Sequence, residues 1–138
     1  MTKRQKDKHT AYQTLSRHGL DFESFNYISP NSGSETAMHI TAKALVCHVG
    51  INNDYWVASE VETPHGEIDA LLWGHPDRLT YAVEVETSPT EEVKQDKLER
   101  YVYKQDGIDD MVLINLNTMP IDMIQATEYV AHELGLEP

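Results

Sequence analysis

The sequence predicts an α/β domain: a small mixed β-sheet, made of an antiparallel three-strand meander plus a parallel fourth strand, flanked by helices in the order α-α-β-β-β-α-β-α. Three observations predict it. Three strand patterns follow one another between residues 54 and 87 with only tight turns between them, which makes a meander. A helix pattern then separates the third strand from a fourth, and a strand–helix–strand crossover within one sheet runs parallel and right-handed. The 138 residues, 40% of them apolar, have the size and core-forming content of one compact domain.

Residues 3–18 read as a helix, with Ala11, Tyr12 and Leu15 as a sparse apolar face among basic side chains, ended by His18-Gly19. Gly19 to Gly33 reads as a linker, broken by Pro30, Asn31, Ser32 and Gly33. Residues 1–33 are accordingly set apart as a basic N-terminal helix and linker, and 34–138 as the domain proper. A second helix opens at Ser34, carries Met38, Ala42, Leu45, Val46 and Val49 at helical spacing, and stops at Gly50.

Asp54–Glu62 alternates Tyr55, Val57, Ser59 and Val61 against Trp56, Ala58, Glu60 and Glu62. The turn Thr63-Pro64-His65-Gly66 leads into Glu67–Trp73, and Gly74-His75-Pro76-Asp77 leads into Thr80–Thr87. Pro89 begins a helix over Thr90 to Gln105, stopped by Asp106-Gly107. Asp110–Asn115 is short and nearly all apolar, the pattern of a strand buried on both faces. Pro120 opens a last helix that ends near Leu134.

Charge narrows the function. The chain has 11 Lys and Arg against 23 Asp and Glu, a net charge of −12. Residues 1–20 hold five of the basic residues and one acid, so the remainder is still more acidic than the total suggests. Such a body repels nucleic acid through its bulk field, and any phosphate contact must be local. An acidic surface also suits a salt-loaded cytoplasm, as in haloarchaea, where screening is short-ranged. The single cysteine, Cys47, excludes an intrachain disulfide framework and a Cys-based zinc site. No apolar run approaches the roughly 20 residues that span a bilayer, and the N-terminus lacks the apolar stretch of a secretory signal. The expectation is a soluble, cytoplasmic protein without a membrane partner.

Candidate chemistry lies in carboxylates set into apolar strands. Glu84 and Glu86 are two apart and share a face, while Tyr81, Val83 and Val85 point the other way. Asp69 lies mid-strand between Ile68 and Ala70, within cross-strand reach of Glu84, and Glu60 offers a further acid. Like charges gathered in a sheet interior require a neutralising proton or cation. A hard divalent ion with oxygen ligands suits them, and it suits phosphodiester hydrolysis. The alternative is a solvated acidic face paired with Lys or Arg.

Gly66-Glu67-Ile68-Asp69 followed by Ala82-Val83-Glu84-Val85-Glu86-Thr87-Ser88 resembles the core motif of the PD-(D/E)XK nuclease superfamily, as does the order of elements from Ser34 to Leu134. The local sequence also looks like archaeal plasmid and virus proteins carrying such a domain. The resemblance implies a restriction-endonuclease-like fold and a DNA endonuclease dependent on Mg²⁺ or Mn²⁺. It implies Asp69 and Glu84 as metal-binding acids, with the Val85 carbonyl near the metal. Glu86 departs from the pattern, which usually has Lys there to orient the attacking water, although some restriction enzymes carry Glu and still cleave. Glu60 and Glu86 then become secondary ligands or water-positioners. His39 falls where relatives place an acid or a histidine.

Beyond the motif, Lys94, Lys97, Arg100 and Lys104 cluster on one arc of the third helix with Tyr101 beside them. That arc reads either as a local contact for DNA phosphates or as a solvated face, and Lys94 or Lys97 is placed to replace the absent motif lysine. Lys3, Arg4, Lys6 and Lys8 offer a second basic stretch. The partner expected is duplex or branched DNA, engaged by a homodimer if two strands are cut. The rival is a nuclease-fold module that binds DNA or a protein without cutting. Cys47-His48 lacks a base and orienter for a nucleophile, the histidines lack zinc spacing, and no Gly-rich phosphate loop is present.

Overall fold

Four strands form one sheet in the order β1-β2-β3-β4, with β1 Trp56–Thr63, β2 Gly66–Trp73, β3 Tyr81–Glu86 and β4 Asp110–Asn115. The first three are antiparallel neighbours and β4 runs parallel to β3. The computed structural model describes residues 2–20, 36–74 and 77–138, without the side chains of Arg4, Gln5 and Lys8. Residues 21–33 of the linker read from Gly19 to Gly33, the helix start at Ser34 and the His75-Pro76 part of the second turn lie outside the described residues.

Capping chemistry sets the helix boundaries. α1 spans Lys3–Arg17 and α2 spans Ala37–Asn52. The start of α2 is set by Thr36, whose hydroxyl accepts the His39 N–H at 3.3 Å. α4, Met123–Leu134, begins three residues later than Pro120 because Asp122 caps it, accepting the Gln125 N–H at 3.0 Å. The helix expected over Thr90 to Gln105 is two pieces: α3, Glu91–Leu98, and a π-helical turn, Glu99–Tyr103, closed by Lys104 N–H to Glu99 O at 2.9 Å. Wide turns of this kind often mark functional sites.

Each sheet face has its own apolar core. α2 and α4 cover one face, packing Val46, Val49 and Val130 against Val57, Leu72, Val83 and Ile114. On the other, α1, the turn that follows it and the π turn bring Leu15, Leu20 and Tyr101 onto Trp56, Leu71, Trp73 and Ala82. Gln105 Nε2 also donates to the His18 carbonyl at 2.8 Å. The basic N-terminal helix thus shares the sheet's core, and burying Leu15 and Leu20 contributes about 1.5–3 kcal/mol each. β4 is the edge strand of the sheet and still buries a residue on each face, Met111 in the second core and Ile114 in the first, while Val112 and Leu113 stay partly open.

The sheet is irregular at one end. Trp56 and Ala58 face one core and Val57 the other, yet Val61 rejoins Trp56 and Ala58, reversing the alternation. On β2, Ala70 and Leu72 face the first core, but Ile68 faces the second with Leu71. The reversals fall at Glu60 and Asp69, which lie opposite each other between the pairs Ser59↔Ala70 and Val61↔Ile68. Glu60 takes the left-handed conformation, φ 52°, which costs a non-glycine residue about 1–2 kcal/mol. β1 and β2 bend together here and stay paired as far as Thr63↔Gly66, while β2–β3 pairing ends at Ala70↔Val83. A fork opens between β2 and β3.

Candidate functional site

Asp69 and Glu84 stand at the mouth of that fork. Where the backbone ladder stops, their side chains take over its hydrogen bonding. Asp69 Oδ2 accepts the Val85 N–H at 2.8 Å, and Glu84 Oε2 accepts the Asp69 N–H at 3.3 Å. The side-by-side carboxylates expected from strand geometry are therefore present, held by backbone donors.

Glu84 is 1% exposed, and its Oε1 has no hydrogen-bond partner among the described residues. Burial first, and Asp69 second, push its carboxyl well above the ordinary range. The cation facing it is Lys97 from α3, with Nζ 3.5 Å from Glu84 Oε1 and 2.6 Å from Glu86 Oε1. Burial pulls the Lys97 ammonium down, but Glu84, Glu86 and Asp69 outweigh it and leave its pKa above the ordinary value. Lys97 is therefore placed as a donor to these carboxylates.

The other expected residues divide into two groups. Val85 lies in the core with its N–H on Asp69, and Glu86 is partly exposed against Lys97. Glu60 turns to Lys43 of α2, with which it forms an ion pair, and its carboxyl crowds Glu67. Glu67 is pushed up to about 7, chiefly by hydrogen bonding with Glu60, then by burial and by the charges of Glu60 and Glu62. His39 hydrogen-bonds through Nδ1 to the Thr36 hydroxyl at 2.7 Å, at the N-terminus of its own helix. The basic arc is divided as well. Lys97 points inward, Arg100 pairs with Asp96 and lies 5.6 Å from the Tyr101 ring centre, and Lys94 and Lys104 are exposed.

Two residues are not visible in the sequence pattern as parts of this end of the sheet. Lys43 is 1% exposed, and its signal is a charged residue one turn beyond His39 on the apolar helix. Tyr101 donates from its hydroxyl to the Glu67 carbonyl at 2.9 Å, holding the departing end of β2. Its position on the π turn, beside Gly66 (φ 134°), has no sequence signal.

Among the described residues, no three His, Cys, Asp or Glu side chains converge as a metal-ligating group. Asp69 and Glu84 alone fit a Mg²⁺-like ion, which usually takes one or two carboxylates and completes its shell with water and substrate phosphate. Glu84 Oε1, which accepts no hydrogen bond from the described residues, suits that use. Among the same residues, no helix is long and apolar enough to cross a membrane. Comparison with protein-family models, with curated proteins and with solved structures finds no match.

Proposed function

We propose that this chain is a divalent-metal-dependent endonuclease that hydrolyses DNA phosphodiester bonds, with Asp69 and Glu84 as ligands for Mg²⁺ or Mn²⁺. The observation that carries it is the place of Lys97. The motif resemblance lacks its lysine at position 86, and an ammonium stands within 3.5 Å of Glu84 all the same, delivered from a helix. Carboxylate, carboxylate and ammonium are the three groups that the resemblance requires.

In the reaction, a water oxygen bonds to phosphorus as one ester P–O bond breaks; the water gives up a proton to the surrounding solvent and the departing oxygen takes one from it. A divalent cation held by Asp69 and Glu84 would supply Lewis-acid chemistry there, making water a stronger acid and offsetting charge on the phosphate oxygens. Lys97, held charged by its acidic neighbours, donates to the water or to a phosphate oxygen. Val85 N–H fixes the Asp69 carboxylate, and the Asp69 N–H fixes that of Glu84, so neither ligand needs to reorganise. Lys94 and Lys104, exposed on the same helical stretch, supply local phosphate contacts on an acidic body.

One observation favours the rival, a module that binds DNA or a protein without cutting: Lys97 already compensates Glu84 and Glu86 without any metal. Supercoiled plasmid and a synthetic four-way junction, incubated with Mg²⁺ or Mn²⁺, separate the two. Metal-dependent nicking that vanishes in Asp69→Ala and Glu84→Ala supports the endonuclease. DNA retention without nicking supports the rival.

A further inference from the structure

Position 86 is where the sequence departs from the pattern it resembles, and Glu86 makes a contact that neither ligand nor water-positioner would explain. Its Oε1 lies 2.6 Å from Lys97 Nζ, closer than the 3.5 Å between that nitrogen and Glu84. Glu86 is 32% exposed and Glu84 1%, so the ammonium bridges a wet carboxylate and a dry one. α3 buries none of its own residues fully, so helix packing does not fix the lysine. A strongly hydrated ammonium on a flexible four-carbon stem would otherwise turn to solvent.

We propose that Glu86 is a positioning residue that anchors the Lys97 ammonium beside Glu84. This rests on the endonuclease proposal for its consequence in catalysis, though not for the anchoring itself. If this ion pair positions the ammonium, placing lysine on the strand and the carboxylate on the helix rebuilds the same pair with the ammonium rooted at 86. Glu86 needs no contact with metal or substrate.

The test pairs plasmid nicking in Mn²⁺ with NMR of the ¹⁵N-labelled lysine ammonium groups. Glu86→Gln preserves shape at a partly exposed site and is expected to lower nicking on the order of 10²-fold, the effect of a reacting group misplaced by about 1 Å. Glu86→Lys and Lys97→Glu singly lose activity, and the double variant regains most of it. The Lys97 ammonium signal, protected from exchange by its ion pair, is lost in Glu86→Gln and kept in Asp69→Asn. A double variant no more active than its singles, or a Lys97 signal unchanged in Glu86→Gln, overturns the proposal. Wild-type protein that never nicks overturns the endonuclease proposal alone, and the ammonium signal then decides the anchoring.

Discussion

Asp69 and Glu84 each accept a hydrogen bond from the backbone of the opposing strand: Asp69 from Val85 N–H at 2.8 Å, Glu84 from Asp69 N–H at 3.3 Å. The exchange occurs one residue beyond the last β2–β3 pair, Ala70↔Val83. Side chains thus complete a ladder that the backbone abandons. The carboxylates are held in place by the same bonds that close the end of the sheet, so the geometry of the fork and that of the site are one structure.

Removing the cation from this fork should destabilise it. Lys97→Met leaves buried Glu84 facing Asp69 without compensation, a loss on the order of 1–3 kcal/mol. Urea denaturation in the absence of metal measures it. Adding Glu84→Gln to Lys97→Met should recover much of the loss, and strictly additive effects would show that the two residues are not coupled.

The fork's far side depends on Gly66. Its φ of 134° excludes other side chains, and a Cβ there would lie 2.7 Å from the Tyr101 hydroxyl, which holds the Glu67 carbonyl. Gly66→Ala should cost about 1–3 kcal/mol in backbone strain and displace that hydroxyl. Tyr101→Phe, without the strain, should lose only the hydrogen bond, about 0.5–1.5 kcal/mol. Equal losses for the two would place the cost in the hydrogen bond rather than in the backbone.

Glu67 sets a pH dependence. Its carboxyl is raised from 4.5 to about 7, so the folded state binds more protons than the unfolded state between those values. Stability therefore falls as pH rises from 4.5 through about 7, and Glu84, also raised, acts with the same sign. Glu67→Gln should melt above wild type near pH 8 and close to it at pH 4.5 or below. Melting curves at several pH values check this, and an unchanged gap across the range would contradict it.

These features differ in how far the sequence reveals them. Strand alternation and the Gly66-to-Asp69 motif place Asp69 and Glu84 on neighbouring strands, because two-residue periodicity and hairpin turns determine both face and neighbour. The break at Glu60 and Asp69 is not legible, since alternation at Val61 and Ile68 reads as unbroken until the two cores are separated. Helical spacing puts Lys94, Lys97, Arg100 and Lys104 on one arc but cannot tell which side chain turns inward. The negative charge of Glu84 and Glu86 on the sheet, a tertiary feature, draws Lys97 in. The start of α4 follows the Asp122 capping bond, which competes with an equally good start at Pro120.

With Lys97 turned inward, the proposed DNA contact would fall to the exposed lysines Lys94 and Lys104. Lys94→Glu and Lys104→Glu should each weaken binding and reduce the slope of log affinity against log salt by about one unit per lost phosphate contact. Fluorescence anisotropy over a salt series, done in Ca²⁺ to suppress cutting, measures the slope. An unchanged slope would make these lysines solvated surface.

The central claim is that Asp69 and Glu84 together hold a divalent cation, and thermal melting with and without Mn²⁺ tests it without any substrate. Ionic strength is matched with monovalent salt, because a chain of net charge −12 gains from general screening. Wild-type protein should gain stability with Mn²⁺ concentration, about 2.7 kcal/mol at a hundredfold excess over Kd. Glu84→Gln, which keeps the shape of the side chain but removes a ligand charge, should gain little from Mn²⁺. Equal Mn²⁺ shifts in wild type, Glu84→Gln and Asp69→Asn would contradict the metal site and the endonuclease built on it.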